Sequence, residues 1–397
     1  MNARSEMPSW LDPTPWLSLA READDAAGER ALDAEAAGPR DLAALLSPAA
    51  GRQLERLAQT AQALTRRHFG RTVSLYAPLY LSNYCPGGCV YCGFAADRRQ
   101  PRRRLTRAML DEELEALKGK GFEDVLLLTG ERCGQAGFPY LLECVTAAAA
   151  MFHQVSVETF ALTREEYRAL ADAGCTGMTL YQETYDPVRY RRLHRWGPKR
   201  DYAFRLDAPS RALEGGLRSV GLGALLGLAD PAFDALCMFL HMLRLRREHW
   251  NAGFMVSFPR IRPQTGGYRP DFAVGDALLA QLIFAFRICL PEVPLVISTR
   301  EAAAFRDGMA GVGICRMSAG SRTTVGGYAH GKAETTGQFS ISDERNVRAV
   351  CRALAARGLE PVFKSGDAVF RDQAPASTSR VIREARSRAW RRRDRPE

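Results

Sequence analysis

From residue 72 onward the chain alternates short apolar, β-prone runs with longer amphipathic stretches, and this alternation restricts the fold more than any other feature. The runs fall at 73–81, 125–129, 155–158, 177–181, 219–225, 254–258, 295–298 and 312–318. Helical spacing fills the intervals near 106–120, 138–152, 163–173, 201–215, 231–250, 274–290 and 300–309, and again near 342–357 after the eighth run. Eight βα units with no run of consecutive strands call for parallel strands joined by crossover helices. The count favours a closed (β/α)8 TIM-type barrel over an open doubly wound sheet, and no GxGxxG follows the first run. Gly121, Gly174 and Gly253 suit left-handed caps where helices turn into strands.

Ahead of the barrel, residues 1–50 are rich in Ala, Asp, Glu and Pro and read as a lead-in with helical pieces. Leu54, Leu57, Ala58, Ala61, Leu64 and Phe69 then recur at helical spacing, and Gly70 closes that helix. The expected organisation is an N-terminal helical extension (1–71), the barrel (72–320), a C-terminal barrel-closing region (321–370) and a basic tail (371–397). Apolar residues at 46% and charged residues at 25% of 397 exclude disorder as the main state. No apolar run approaches the roughly 18 residues of a membrane span. Acids throughout the first forty residues do not suit a signal or transit peptide, so a cytoplasmic address is expected, where ten cysteines are poor disulfide candidates. Half of the net charge of +10 sits in the tail, with nine arginines against four acids. The tail reads as a basic helix for RNA, a membrane surface or an acidic partner, or as a solvated terminus. Without aromatics beyond Trp390, nucleic-acid binding is not expected.

The strongest local signal is Cys85-Pro86-Gly87-Gly88-Cys89-Val90-Tyr91-Cys92, a C-x3-C-x2-C spacing directly after the first run. Three thiolates this close point to a metal centre. Structural zinc needs a fourth ligand, and the downstream candidates Cys133 and His153 lack zinc-like spacing. Three cysteines on a [4Fe–4S] cluster leave one iron free as a reaction site, whereas four usually give an electron carrier. Gly87 and Gly88 let the loop curl around a compact cluster, Tyr91 adds an aromatic face, and the loop lies at the carboxyl end of the barrel, where active sites of this fold sit.

This motif, with an aromatic before the third cysteine, is the signature of the radical S-adenosylmethionine (SAM) superfamily. Further segments resemble the 2-iminoacetate synthases (ThiH), tyrosine lyases of that superfamily: Leu79-Tyr80-Leu81-Ser82-Asn83, Leu128-Thr129-Gly130-Glu131, Tyr181-Gln182-Glu183-Thr184-Tyr185, Val256-Ser257-Phe258-Pro259-Arg260, Ser298-Thr299-Arg300-Glu301 and Ser318-Ala319-Gly320-Ser321. The resemblance covers about residues 75–365. It implies a [4Fe–4S] cluster on Cys85, Cys89 and Cys92, with SAM chelating the free iron and splitting to methionine and a 5′-deoxyadenosyl radical. It gives Glu131 the SAM amine and Arg205 a SAM carboxylate. Glu158 and Glu183, at strand ends facing the mouth, suit ribose hydroxyls or the amine, with structural ion pairs as the alternative. Gly221 and Gly223 suit close approach of adenine or plain tight packing. Arg300, after the seventh run, is placed to dock an amino-acid carboxylate bidentately, completed by Ser318 and Ser321. The alternative for Arg300 is an ion pair with Glu301 or Asp307.

The implied reaction breaks the Cα–Cβ bond of L-tyrosine to give 2-iminoacetate and p-cresol for thiamine thiazole biosynthesis. Hand-over to the thiazole synthase ThiG is expected, because the imine hydrolyses in water. The alternative substrate is L-tryptophan, as in NosL-like lyases that make an indolic acid. A HydG-type second cluster has too few ligands, since only Cys351 lies beyond Cys315. Tyr80, His194 and His249 are acid–base candidates or packing residues. Arg98, Arg99, Arg102, Arg103, Arg104 and Arg107, just past the cluster, form either a docking loop for an acidic, flavodoxin-type reductant or a solvated basic loop.

Overall fold

The structure, a computed structural model, describes residues 7–34, 36–329 and 337–363. The expected basic tail lies outside the described residues. The strands are β1 (Thr72–Tyr80), β2 (Asp124–Leu128), β3 (Gln154–Glu158), β4 (Gly177–Thr179), β5 (Ser219–Gly223), β6 (Gly253–Ser257), β7 (Leu295–Ile297), β8 (Arg316–Ser318) and β9 (Glu360–Val362). The first eight pair in chain order, all parallel, and β1 joins both β2 and β8, so the sheet closes on itself. The (β/α)8 expectation holds, with helices on the outside of the barrel.

Departures from the sequence reading have local causes. The eighth strand starts only at Arg316, because 310–315 form a tight turn closed by an Ala310–Ile314 bridge, with Gly311 at φ 72°. The helix expected at 201–215 is two, Tyr202–Leu206 and Ala208–Glu214. Pro209 has no N–H for the carbonyl four residues back, which interrupts the ladder there. A helix at Pro187–Leu193 was not anticipated, although Asp186 caps it from Oδ1 and Pro187 opens it. Gly121 and Gly174 adopt left-handed φ of 90° and 98° as expected. Gly253 does not; it begins β6, and His249 caps the helix before it. The strand β9 was also missed. At Ser74, β1 has β8 on one edge and β9 on the other, the edge β2 takes further along. Three residues containing a proline carry no readable alternation.

Both extensions are fastened to the barrel. Helix Leu54–Phe69 packs on helix Asp276–Cys289. Buried Gln281 of that helix donates through Nε2 to the carbonyls of Leu45 (2.9 Å) and Ser47 (2.8 Å). On the C-terminal side, fully buried Arg306 pairs with Asp343, and Arg345 forks onto Asp307 at 2.8 and 2.9 Å. Glu113 collects the N–H groups of Gly327, Tyr328 and Ala329. These bonds hold the returning chain across the barrel mouth.

Candidate active site at the barrel mouth

The loop carrying the three cysteines is built by polar side chains in its own sequence. Asn83 accepts from Arg103 N–H at 2.7 Å and donates to Pro101 O at 2.8 Å. The Arg102 guanidinium donates to the carbonyls of Asn83, Phe94, Ala95 and Arg98. A short antiparallel contact straps the far side, with Gly88 N–H on Trp196 O (3.0 Å) and Val90 N–H on Leu193 O (3.1 Å). The Trp196 ring lies where a Cβ on Gly88 would go.

All three cysteines are free thiols. A Cβ on Gly87 would sit 3.5 Å from Cys85 Sγ and 3.8 Å from Cys89 Sγ, so the glycine leaves the space between the sulfurs clear. Burial pushes the Cys85 thiol up to about 11 and the Cys89 thiol higher still. The chain also offers hydrogen-bond donors to the sulfurs. The N–H groups of Gly87 and Glu131 serve Cys85, while Phe94 N–H (3.4 Å) and Gln338 Nε2 (3.7 Å) serve Cys92. Such donors stabilise sulfur ligands of an iron–sulfur cluster. His153, a zinc candidate from the sequence, instead lies 3.2 Å from Glu123. Among the described residues no group of three His, Cys, Asp or Glu side chains is arranged to hold a single metal ion.

Beside the cysteines lies a buried ionic cluster. Arg205 donates to Tyr181 O at 2.9 Å and faces Glu131 (3.4 Å) and Glu183 (3.5 Å), while Lys199 Nζ lies 2.6 Å from Glu183. Glu183 has φ 71°, the only left-handed non-glycine backbone among the described residues. Such strain persists where surroundings dictate it, and it concentrates at functional sites. Glu158 ends β3 close by. Burial pushes its carboxyl up to about 7, with Arg300 opposing the shift and Glu183 adding to it. Tyr91 presents its hydroxyl to His194 Nε2 at 2.6 Å, while His194 Nδ1 donates to Tyr190 O. Burial and the Lys199 cation hold His194 neutral, far below its ordinary value.

Arg300 follows β7, and both acids that might have neutralised it are engaged elsewhere. Glu301 pairs with Arg260 and Arg262, and Asp307 with Arg345. The Arg300 guanidinium lies 3.4 Å from the centre of the Phe339 ring and donates to Arg260 O at 3.4 Å. Among the described residues no carboxylate lies within ion-pair distance of it. Thr299 N–H donates to Ser318 Oγ at 3.2 Å, which brings the end of β8 beside this arginine's loop. The buried Ser321 hydroxyl has no hydrogen-bond partner among the described residues.

The Radical SAM superfamily model matches residues 79–240, and the Biotin and Thiamin Synthesis associated domain model matches 257–360. Over 340 residues the chain is 44% identical to the 2-iminoacetate synthase of Escherichia coli (strain K12), covering 85% of this chain and 90% of that protein. The chain belongs to the 2-iminoacetate synthase family of radical SAM enzymes. The Salmonella typhimurium 2-iminoacetate synthase matches at 42% over the same shares. The crystal structure of HydG, a maturase of the [FeFe]-hydrogenase, superposes with a TM-score of 0.85 at 28% identity, covering 95% of this chain and 86% of that one. As a radical SAM enzyme, this protein uses a [4Fe–4S] cluster and S-adenosylmethionine.

Within the radical SAM site, the expected residues fall into two groups around one mouth. Cys85, Cys89, Cys92, Tyr91, Glu131, Glu183 and Arg205 converge on the cluster side. Arg300 and Ser318 converge on the β7–β8 side, with Glu158 between. Gly221 and Gly223 have a packing reason of their own, because a Cβ at Gly221 would lie 2.7 Å from Thr179 Oγ1 and one at Gly223 would strike the Tyr181 ring. His194 serves as a hydrogen-bond anchor, and His249 lies away from the mouth, 3.0 Å from Ser210. The basic loop is less free than its composition suggests. Arg98 turns onto Val90 O and Arg102 onto four carbonyls; Arg99, Arg104 and Arg107 are exposed, although Arg104 donates to Gln135 O and Arg107 pairs with Asp111. Sequence reasoning missed Lys199, Gln338 and Phe339. Lys199 follows Gly197-Pro198, a turn signal near two acids of the site; Gln338 and Phe339 sit in a stretch with no periodicity.

Proposed function

We propose that this enzyme cleaves the Cα–Cβ bond of L-tyrosine to 2-iminoacetate and p-cresol, converting SAM to 5′-deoxyadenosine and methionine, in thiamine thiazole biosynthesis. The observation that carries the reading to this chain is Arg300, a half-buried guanidinium at the barrel mouth whose neighbouring acids are bound to other arginines. An amino-acid carboxylate supplies the missing counter-charge, and a planar guanidinium takes it bidentately. Ser318 retains a hydroxyl proton to donate, and Ser321 has an unused hydroxyl for the same carboxylate.

Cys85, Cys89 and Cys92 would hold the cluster, with SAM as its fourth ligand. When bound, cluster and SAM together supply a carbon-centred oxidant that takes a hydrogen atom from the substrate. Glu131 and Glu183 accept from the SAM ammonium, and Arg205 receives its carboxylate. The Glu131–Arg205 pair, 3.4 Å apart, has the opposite charges that the two ends of an amino-acid zwitterion match. Tyr91 packs beside the cluster. Glu158 accepts from a ribose hydroxyl, and the backbone at Gly221 and Gly223 borders adenine. The roof formed by 337–343 excludes water from the radical and from the imine product.

The product's lability favours transfer to ThiG in the cytoplasm. Exposed Arg99, Arg104 and Arg107 suit an acidic, flavodoxin-type reductant. The test offers tyrosine and tryptophan together under anaerobic conditions with SAM and reductant. The reading expects p-cresol; an indolic product instead assigns the enzyme to the tryptophan branch and overturns it.

A further inference from the structure

One two-residue segment touches both halves of the site. Gln338 Nε2 lies 3.7 Å from Cys92 Sγ, and its Oε1 accepts from the Tyr80 hydroxyl at 2.8 Å. Tyr80 ends β1, which leads into the cluster loop. A cluster-ligating thiolate sulfur can only accept, so it takes the amide nitrogen and leaves the oxygen for the Tyr80 O–H. The Arg300 guanidinium carbon lies over the ring of the next residue, Phe339, 3.4 Å from its centre. The backbone pins this segment at three points. Gly93 N–H donates to Gln338 O (3.0 Å), Gln338 N–H to Thr323 O (3.1 Å) and Thr323 Oγ1 to Phe339 O (3.0 Å). A Cβ on Gly93 would lie 2.5 Å from Gln338 O, so the cluster loop and this segment are in direct backbone contact.

We propose that Gln338 and Phe339 act as one positioning unit coupling the substrate site to the cluster: Phe339 holds the Arg300 guanidinium in place, and Gln338 donates a hydrogen bond to the Cys92 sulfur. The proposal rests on Arg300 as the carboxylate site. A donor on a ligand sulfur stabilises the more negative, reduced cluster and so raises its reduction potential. A carboxylate arriving at Arg300 draws on the same rigid segment, so tyrosine binding alters the Gln338–Cys92 contact. Neither residue exchanges atoms with the substrate.

The experiment is an EPR-monitored redox titration of the reconstituted enzyme, with and without tyrosine. In Gln338→Met the midpoint moves to more negative potential without tyrosine, at wild-type iron content. Tyrosine shifts the wild-type midpoint and leaves that of the variant in place. In Phe339→Leu the tyrosine-free midpoint stays put, while KM for tyrosine rises roughly tenfold and kcat changes less than about twofold, as expected for a lost cation–π contact. An unchanged midpoint in Gln338→Met, or an unchanged KM in Phe339→Leu, overturns the proposal. Should Gln338→Met fail to assemble the cluster, Tyr80→Phe carries the test: it frees the amide without removing it, and the midpoint must fall by a smaller amount. Absence of tyrosine cleavage by the wild-type enzyme removes the proposed function, and is told apart from failure here because the tyrosine-free midpoints are read independently.

Discussion

In the proposed function, Arg300 is the residue on which substrate recognition turns. Its replacement by Ala removes the only proposed counter-charge for the amino-acid carboxylate while touching no cysteine. The expected outcome is a full complement of iron and normal SAM binding, with p-cresol formation down by at least about 100-fold, as for a lost bidentate charge pair. Quantifying iron and p-cresol on the same preparation checks this, and turnover within a few-fold of wild type would contradict it. Arg102 makes a complementary case. It feeds four carbonyls of the cluster loop, so Arg102→Ala costs about 3 kcal/mol of local stability and lowers iron retention although no ligand is lost. The placing of the three cysteines and Arg300 at strand ends around one mouth was legible in the sequence because their residue types and spacing stand out. Arg102 was read with five other arginines as part of a docking loop or a solvated basic loop, since an arginine that hydrogen-bonds carbonyls looks in sequence like one facing solvent. Gln338 was illegible for a different reason: its significance comes from meeting Cys92 across 246 positions of chain.

At the scale of elements, the contact between loops governs the site more than any single strand does. Gly130, after β2, touches the cluster loop so closely that a Cβ there would strike Tyr84 O and approach Cys85 Cβ to 2.8 Å. Gly130→Ala therefore displaces the first cysteine and impairs cluster assembly, whereas Gly134→Ala, which would meet nothing within 4 Å, leaves iron content unchanged. Helix Pro231–Glu248 contributes a second check through Asp234. This buried carboxyl accepts from Thr184 Oγ1 (3.0 Å) and Tyr185 N–H (2.7 Å), fixing the chain just after Glu183. Burial pushes it up to about 7. A raised carboxyl pKa means the folded state holds its proton where the unfolded chain has released it, so stability falls as pH rises from about 4 to about 7. Asp234→Asn removes that ionisation and flattens the stability–pH profile by up to about 4 kcal/mol over the window. Denaturant midpoints across the range measure it; an unaltered slope would contradict the assignment. The helices and strands were readable because their apolar periodicity repeats. The split at Pro209 and the added β9 were not, because each depends on a single proline or on a neighbour supplied by the fold.

For the whole molecule, the closed barrel gives eight strand ends around one mouth, and the C-terminal return covers it. Arg306–Asp343 and Arg345–Asp307 fasten that cover to helix Ala303–Met309, and the Glu113 cradle fastens it to helix Arg107–Gly119. The architecture places the three-cysteine loop after β1 two strands away from the proposed carboxylate site after β7, with the acids proposed to meet SAM at or after the ends of β2, β3 and β4. Its central claim is that one cavity makes a radical from SAM and spends it on tyrosine. The most direct measurement is anaerobic product stoichiometry with tyrosine, SAM and a one-electron reductant. The account predicts p-cresol and 5′-deoxyadenosine in nearly equal amounts, and little 5′-deoxyadenosine when tyrosine is withheld. Abundant 5′-deoxyadenosine with no p-cresol would contradict it.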